Sequence, residues 1–114
     1  MNFLGKIISA IVPAFSAAAS GDLPSEASLI DVRSAGEFAS GHIDGAISLP
    51  LGSIGQTIAG VVPDKASPII VYCQSGARSS SAKNLLNSLG YQQVFNGGGV
   101  GGLALRLGKP VRRG

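Results

Sequence analysis

Short apolar runs alternate with segments of helical character along the chain. Four runs have the length expected of β-strands, and they lie at residues 28–32, 46–49, 69–72 and 94–95. The run at residues 69–72 has no charged or strongly polar interruption, which is typical of a central parallel strand covered on both faces. Strands that alternate with helices predict an α/β domain with a mainly parallel sheet of about four to five short strands, flanked by helices.

Two candidate capping boxes mark helix starts between these runs. Ser34 and Glu37 have the spacing of a capping box, and Gly41 ends the short helix that they predict. Ser53 and Gln56 have the same spacing and predict a second helix. A third helix is expected after the run at residues 69–72, beginning near Ser79 or Ser80 and ending at Gly90. Its apolar positions repeat with helical spacing, at Ala82, Leu85, Leu86 and Leu89.

The end of the chain is rich in glycine and carries basic residues. The glycines at residues 97–99 and 101–102 predict a flexible turn, and the leucines after them form either a weak helix or an extended strap. We expect residues 109–114 to be a solvated basic tail, which accounts for part of the net charge of +3. Because no aromatic residues interleave with these charges, we expect no nucleic-acid partner.

The composition is that of one packed domain. The chain has 114 residues, of which 45% are apolar and 13% are charged. The one cysteine, Cys73, excludes an internal disulfide. With the one histidine, His42, it also supplies too few ligands for a structural zinc site.

The N-terminal region fits two interpretations. One lysine, an apolar run at residues 7–15 and an Ala-x-Ala pattern at residues 17–19 are features of a secretory signal. Ser9 and Pro13 interrupt the run, which favours a short strand and then a helix with Pro13 in its first turn. No run reaches the roughly 18 apolar residues of a membrane span, so we expect no stable membrane insertion.

These patterns divide the chain into three parts. Residues 1–22 form an N-terminal segment, residues 23–108 the main domain, and residues 109–114 the basic tail. We expect a cytoplasmic monomer. A periplasmic protein is the alternative if the N-terminal segment is a cleaved signal.

Cys73 stands between the most apolar run and a loop that contains glycine. After it come Gln74, Ser75, Gly76, Ala77, Arg78 and Ser79. The N–H groups of such a loop and of the helix start after it point at one place and favour an anion there, with Gly76 supplying a positive φ angle. This setting predicts a lowered pKa for the Cys73 thiol, and Arg78 is placed to bind an oxyanion. The alternative is a structural cysteine buried at a strand end.

This loop, CQSGARS at residues 73–79, resembles the active-site loop of rhodanese-type sulfurtransferases, Cys-x-x-Gly-x-Arg/Thr followed by Ser/Thr. The segment LIDVRSAGEFASGHIDGAISLPL at residues 29–51 is similar to the family's second signature, Asp-Val-Arg, Glu-Phe and Gly-His-Ile-x-Gly-Ala. The resemblance spans residues 28–100 and is greatest for the small single-domain members. It implies the rhodanese-like three-layer fold.

The resemblance also implies a reaction in two steps. The Cys73 thiolate takes sulfur from thiosulfate, holds it as a persulfide, and passes it to a thiophilic acceptor. That acceptor is cyanide, a thiol or a thioredoxin-like protein. Arg78 is implied to bind the anionic end of the donor, and the backbone of residues 74–79 is implied to surround the sulfur. No metal or organic cofactor is required.

Three residues of the second signature are given supporting or structural roles. Asp31 is expected to help hold the active loop. Arg33 is expected to pair with Glu37 across the short helix, which is a structural role. His42 is expected to hydrogen-bond backbone near the sheet edge and not to act as a general base.

Three other functions stay open on the same pattern. Phosphatases of this fold place five residues between cysteine and arginine, whereas four residues separate Cys73 from Arg78 here, which favours sulfur over phosphate. An arsenate reductase is a minor alternative. A carrier module without enzymatic turnover, which receives a persulfide from a protein donor and hands it on, is the alternative from a different functional class.

Overall fold

The computed structural model of the chain describes residues 22–114. The predicted N-terminal segment therefore lies outside the described residues except for Asp22, and so do both interpretations of it. Within residues 22–114, no helix is long and apolar enough to cross a membrane.

A parallel four-stranded sheet lies at the centre of the domain. The strands, numbered along the chain, are β1 (Ser28–Asp31), β2 (His42–Ile43), β3 (Ile47–Ser48), β4 (Ile69–Cys73), β5 (Val94–Gly99) and β6 (Val111–Arg112). The helices are α1 (Ala35–Ser40), α2 (Ile54–Val61), α3 (Ala77–Ser88) and α4 (Val100–Leu107). The central sheet has the order β3-β1-β4-β5, and β2 pairs with β6 in a separate antiparallel ribbon. The predicted α/β fold with a mainly parallel sheet of about four to five short strands is confirmed, and the sheet has four strands.

Strand β4 is the central strand that its apolar sequence predicts. All five of its residues are buried. It pairs with β1 on one side and β5 on the other, so that Ile70 lies opposite both Leu29 and Phe95. Because the strands are parallel, the carboxyl ends of β1, β4 and β5 meet at one edge of the sheet. Cys73, the last residue of β4, lies at that edge.

Apolar residues cover both faces of the sheet and make three layers. On one face, α2 contributes Ile54 and Ile58, and α3 contributes Ala82 and Leu86. On the other face, the buried side chains come from β1, β2, β4 and α4, namely Leu29, Ile43, Ile70, Tyr72, Leu103 and Ala104. The sheet is therefore a layer between two apolar cores, as in the three-layer arrangement that the family resemblance implied.

One of the two predicted capping boxes forms. The Ser34 hydroxyl accepts a hydrogen bond from the Glu37 N–H, the Glu37 carboxylate accepts one from the Ser34 N–H, and Gly41 caps the end of α1. Helix α2 begins after Ser53 as predicted, but the predicted capping box of Ser53 and Gln56 does not form. The Ser53 hydroxyl donates to the carbonyl of Pro50, which draws it away from the helix N-terminus.

The glycine-rich segment is ordered structure, which corrects the predicted flexible turn. Residues 97–99 complete strand β5. A Cβ atom on Gly97 would lie 2.7 Å from a Leu103 methyl group, and one on Gly99 would lie 2.6 Å from the Gln74 carbonyl oxygen. These glycines therefore allow close packing. Helix α4 follows at once in spite of two glycines, because Leu103 and Ala104 bury one side of it and tertiary packing outweighs weak helix propensity.

The basic tail is exposed, but it is joined to the domain. Its strand β6 pairs with β2, with Val111 opposite Ile43. The Arg112 guanidinium also forms an ion pair with Asp44, with Nε 2.6 Å from Oδ1. The tail is therefore an edge strand of the antiparallel ribbon, and the expectation of a purely solvated segment is corrected.

Candidate active site

The sulfur of Cys73 is buried at the carboxyl end of the central strand. Only 1% of the residue is exposed to solvent. Of the residues that follow it, Gln74, Ser75 and Ala77 are exposed, while Gly76 and Arg78 are partly exposed. The loop therefore forms an exposed rim beside a buried cysteine.

Helix α3 begins at Ala77, two residues earlier than the predicted start near Ser79. Gly76 is its N-cap and has a φ angle of +103°, the left-handed conformation that the predicted turn requires. Because of the earlier start, Arg78 and Ser79 lie in the first helical turn and not in the loop. The N-terminal end of the helix, where N–H groups lack intrahelical acceptors, is thus close to Cys73.

Hydrogen bonds to the sulfur outweigh the effect of burial on the thiol. The Gly76 N–H donates to Cys73 Sγ over 2.9 Å, and the Ser79 hydroxyl oxygen lies 3.5 Å from the same atom. Burial by itself raises the pKa of Cys73. The hydrogen bonds from the Ser79 hydroxyl and from the backbone of Ser79, Gly76 and Ser75 lower the pKa further than burial raises it, to about 7 from an ordinary value of 9.0. A substantial fraction of the thiol is therefore thiolate at neutral pH.

Ser79 is fully buried and joins the loop to strand β5. Its hydroxyl lies 2.7 Å from the Asn96 side-chain oxygen and 3.1 Å from the Gly76 carbonyl oxygen. Asn96 was not predicted from the sequence. The available signal was a polar residue near the carboxyl end of a strand, because such ends gather at the edge where Cys73 lies.

Arg78 is held by Glu37 of α1. Its Nη1 and Nη2 atoms lie 2.7 and 3.0 Å from the two carboxylate oxygens, so the pair is bidentate. The bond from Arg78, followed by the bonds from Ser34, lowers the pKa of Glu37 to about 2. The predicted pairing of Arg33 with Glu37 is therefore wrong, and Glu37 belongs to this site through its contact with Arg78.

Arg33 pairs with Asp31 instead. The Arg33 Nη2 atom lies 2.7 Å from Asp31 Oδ2, and both side chains are buried. The guanidinium also donates to the carbonyl of Gly41 over 2.6 Å and to the side-chain oxygen of Gln74 over 3.3 Å. Asp31 and Arg33 thus link the end of β1 to the cysteine loop. This geometry suits the supporting role predicted for them.

His42 makes the backbone contact expected of it. Its Nδ1 atom lies 2.9 Å from the Phe38 carbonyl oxygen, and its ring stacks on the Phe38 ring with a centroid distance of 3.7 Å. These contacts fix the imidazole on strand β2, at the edge of the antiparallel ribbon.

The chain matches the family described as the rhodanese-like domain over residues 16–100. It is 41% identical over 76 residues to thiosulfate sulfurtransferase PspE of Escherichia coli (strain K12), covering 67% of this chain and 73% of that protein. It is 34% identical over 80 residues to thiosulfate sulfurtransferase GlpE of Tolumonas auensis (strain DSM 9187 / NBRC 110442 / TA 4), covering 70% of this chain and 73% of that protein.

A solved structure described as a rhodanese with anions from E. coli has a similar fold. It superposes with a TM-score of 0.72 at 37% identity, covering 78% of this chain and all of that chain. Sequence and fold therefore agree, and both similar enzymes are thiosulfate sulfurtransferases. The chain belongs to the rhodanese-like domain family.

Proposed function

We propose that the chain is a thiosulfate:cyanide-type sulfurtransferase that carries sulfane sulfur as a persulfide on Cys73. The observation that supports this most directly is the 2.9 Å hydrogen bond from the Gly76 N–H to the buried Cys73 sulfur. A backbone donor directed at a sulfur atom stabilises the thiolate, which is the nucleophile. The same donor can stabilise a charged sulfur adduct.

The first half-reaction moves one sulfur atom onto the protein. The Cys73 thiolate attacks the outer sulfur of thiosulfate, and a new sulfur–sulfur bond forms. The bond between that sulfur and the sulfonate group breaks, and sulfite leaves with its electron pair. The thiolate anion and the thiosulfate dianion give the persulfide anion and the sulfite dianion. The charges therefore balance, and no proton or external electron is needed.

The second half-reaction returns the thiolate. A thiophilic acceptor attacks the outer persulfide sulfur, and Cys73 leaves as the thiolate. With cyanide as the acceptor the product is thiocyanate. The proposed natural acceptor is a thiol or a thioredoxin-like protein. Splitting the transfer in this way is covalent catalysis with a single intermediate.

Arg78 is the proposed contact for the anionic end of the donor. It is 41% exposed and lies one residue before Ser79, which contacts the sulfur. A bidentate guanidinium suits the oxygens of a sulfonate as well as it suits the Glu37 carboxylate. The donor then shares or replaces Glu37 on this guanidinium. The negative charge of the bound sulfur is stabilised, in this proposal, by the helix N-terminus and by the N–H groups of residues 74–79.

The intact mass of the protein tests this proposal. The full chain is weighed before thiosulfate, after thiosulfate, and after later addition of cyanide, with Cys73→Ser as the matched variant. We expect wild type to gain one sulfur atom and to lose it to cyanide, and the variant to gain none. Wild type that gains no sulfur refutes thiosulfate as the donor. If it then gains sulfur from a persulfidated protein, the carrier alternative replaces the enzyme.

A further inference from the structure

We propose that Asn96 is a positioning residue for Cys73, because it holds the hydrogen of the Ser79 hydroxyl away from the sulfur and so restrains thiolate formation. The inference rests on the proposed function of Cys73 as a nucleophile. Asn96 acts through Ser79 and has no role in the chemical steps themselves.

The Asn96 amide is tied to the cysteine loop at both of its ends. Its oxygen accepts from the Ser79 hydroxyl over 2.7 Å and from the Gly98 N–H over 2.9 Å, while its nitrogen donates to the Gly76 carbonyl over 3.2 Å. These partners fix the orientation of the amide. If it were flipped, its NH₂ group would face the Gly98 N–H, and two donors would oppose each other. Asn96 is nonetheless exposed, so these bonds order a side chain that solvent would otherwise leave free.

The Ser79 hydroxyl has one hydrogen and three neighbouring acceptors. The acceptors are Asn96 Oδ1 at 2.7 Å, the Gly76 carbonyl oxygen at 3.1 Å and Cys73 Sγ at 3.5 Å. An amide oxygen and a hydroxyl oxygen 2.7 Å apart need a hydrogen between them, and the amide oxygen has none to give. The Ser79 hydrogen therefore points at Asn96. Its oxygen lone pairs are left to face the sulfur, where they suit a protonated thiol that donates.

Thiolate formation reverses this arrangement. A charged sulfur attracts the Ser79 hydrogen, and the hydroxyl must then give up its short bond to Asn96. The two oxygens are left facing each other without a hydrogen. Asn96 and Cys73 thus compete for one hydrogen, and the competition opposes the stabilising effect of the Gly76 N–H.

This restraint has a chemical use. A thiol attacks fastest when its pKa lies near the ambient pH, because a lower pKa gives more thiolate but a weaker nucleophile. Each further donor to the sulfur lowers its pKa, and below the ambient pH this weakens the nucleophile without adding much thiolate. Because Asn96 competes for the Ser79 hydrogen, the hydroxyl lowers the pKa of Cys73 less than it would without Asn96, and Cys73 stays reactive near neutral pH.

None of the substitutions that test this proposal changes a charged residue near the cysteine loop. Arg78 of α3 faces the loop and is paired with Glu37 of α1, and Asp31 and Arg33 form a pair at the end of β1. Asn96 also lines a groove of about 300 Å³, whose charged lining residues are Asp22, Lys83 of α3 and Arg106 of α4.

The test measures the rate of Cys73 alkylation by iodoacetamide as a function of pH. Asn96→Ala and the strand-forming Asn96→Val remove the acceptor, and Asn84→Ala, at an exposed position of α3, is the matched control. We expect both Asn96 variants to lower the alkylation midpoint by about half a pH unit to one unit, the scale of one shared hydrogen bond to a charge. The Asn84 control should not move it.

A second arm repeats the measurement with Ser79→Ala. In that background Asn96→Ala should change the midpoint by less than about 0.2 pH unit, because the hydroxyl through which it acts is gone. If Asn96 only anchors the loop, its removal misaligns the Gly76 N–H and raises the midpoint. A raised or unchanged midpoint, or a shift that persists without Ser79, overturns the proposal. Alkylation needs no sulfur donor, so this result is independent of whether thiosulfate loads the protein.

Discussion

Two arginine–carboxylate pairs lie beside the cysteine loop, and they differ in their exposure to solvent. Arg33 and Asp31 are 4% and 0% exposed, whereas Arg78 and Glu37 are 41% and 36% exposed. The first pair is formed within three consecutive residues, and the second joins residues 41 positions apart. Burial fixes the first pair as part of the scaffold. Exposure leaves the second within reach of an anionic substrate.

We therefore propose different purposes for the same chemical groups according to their surroundings. A buried charge that loses its partner keeps the full cost of desolvation. An exposed guanidinium that loses its partner is solvated by water at little cost, so it can exchange one anion for another. We therefore expect substitutions in the buried pair to act on folding, and substitutions in the exposed pair to act on catalysis.

The largest expected effect is on stability. Arg33→Met leaves the Asp31 carboxylate buried without its partner, so the free energy of unfolding should fall by about 3–5 kcal/mol. Urea denaturation followed by circular dichroism measures this loss. The matched control, Arg113→Met, removes an exposed arginine and should leave stability nearly unchanged. Adding Asp31→Asn to Arg33→Met should recover part of the loss, because the amide oxygen still accepts from the residue 33 N–H without a charge. A loss as small as that of the control contradicts the scaffold role.

The next effect is on catalysis. Arg78→Met removes a charge-assisted contact to the donor worth about 1.5–3 kcal/mol, so kcat/KM for thiosulfate should fall roughly 10- to 100-fold. Its loss of stability should be no more than roughly a fifth of that caused by Arg33→Met. Steady-state assay of thiocyanate formation and the same urea titration measure the two quantities, with Arg113→Met as the control. An equal loss of stability in the two arginine variants removes the distinction between the pairs.

The third prediction concerns pH. Because the thiolate is the reactive form and the pKa of Cys73 is lowered to about 7, alkylation of wild type should rise with pH to half its maximum near pH 7. Glu37, with a pKa of about 2, stays ionised throughout this range, so the exposed pair adds no step of its own. A midpoint near 9.0, the ordinary value, shows that the loop at residues 74–79 does not stabilise the thiolate.

The smallest expected effect concerns the pKa of the Cys73 thiol, and it separates the influence of Ser79 from that of Arg78. Ser79→Ala removes a hydroxyl that is shared with Asn96, so the alkylation midpoint should rise by about half a unit to one unit. Arg78→Met should raise the midpoint by less. The hydrogen bonds that lower the pKa of Cys73 come from Ser79 and from the backbone, whereas the Arg78 guanidinium is paired with Glu37. A larger shift for Arg78→Met shows that the arginine activates the thiol and does not merely bind the donor.

Local patterns in the sequence were enough to predict much of this site. Cys73, Gly76, Arg78 and Ser79 lie within seven residues of one strand–loop–helix unit, so their proximity follows from the chain itself. The capping box of Ser34 is local in the same sense.

Contacts between distant segments were not predictable in this way. Glu37 has a local partner in Ser34 and a distant one in Arg78, and the sequence pattern shows only the first. Asn96 reaches Ser79 only because β5 lies beside β4. The glycines at residues 97–99 suggested flexibility, whereas their role depends on side chains and backbone that pack against them from elsewhere.

The kinetic pattern of the overall reaction shows whether sulfur rests on Cys73 between two separate half-reactions. Initial rates of thiocyanate formation are measured while thiosulfate is varied at several fixed cyanide concentrations. The proposed mechanism predicts parallel lines in a double-reciprocal plot, because sulfite leaves before cyanide reacts. Intersecting lines require both substrates to be bound at once, and they would contradict a persulfide on Cys73 as the obligatory intermediate.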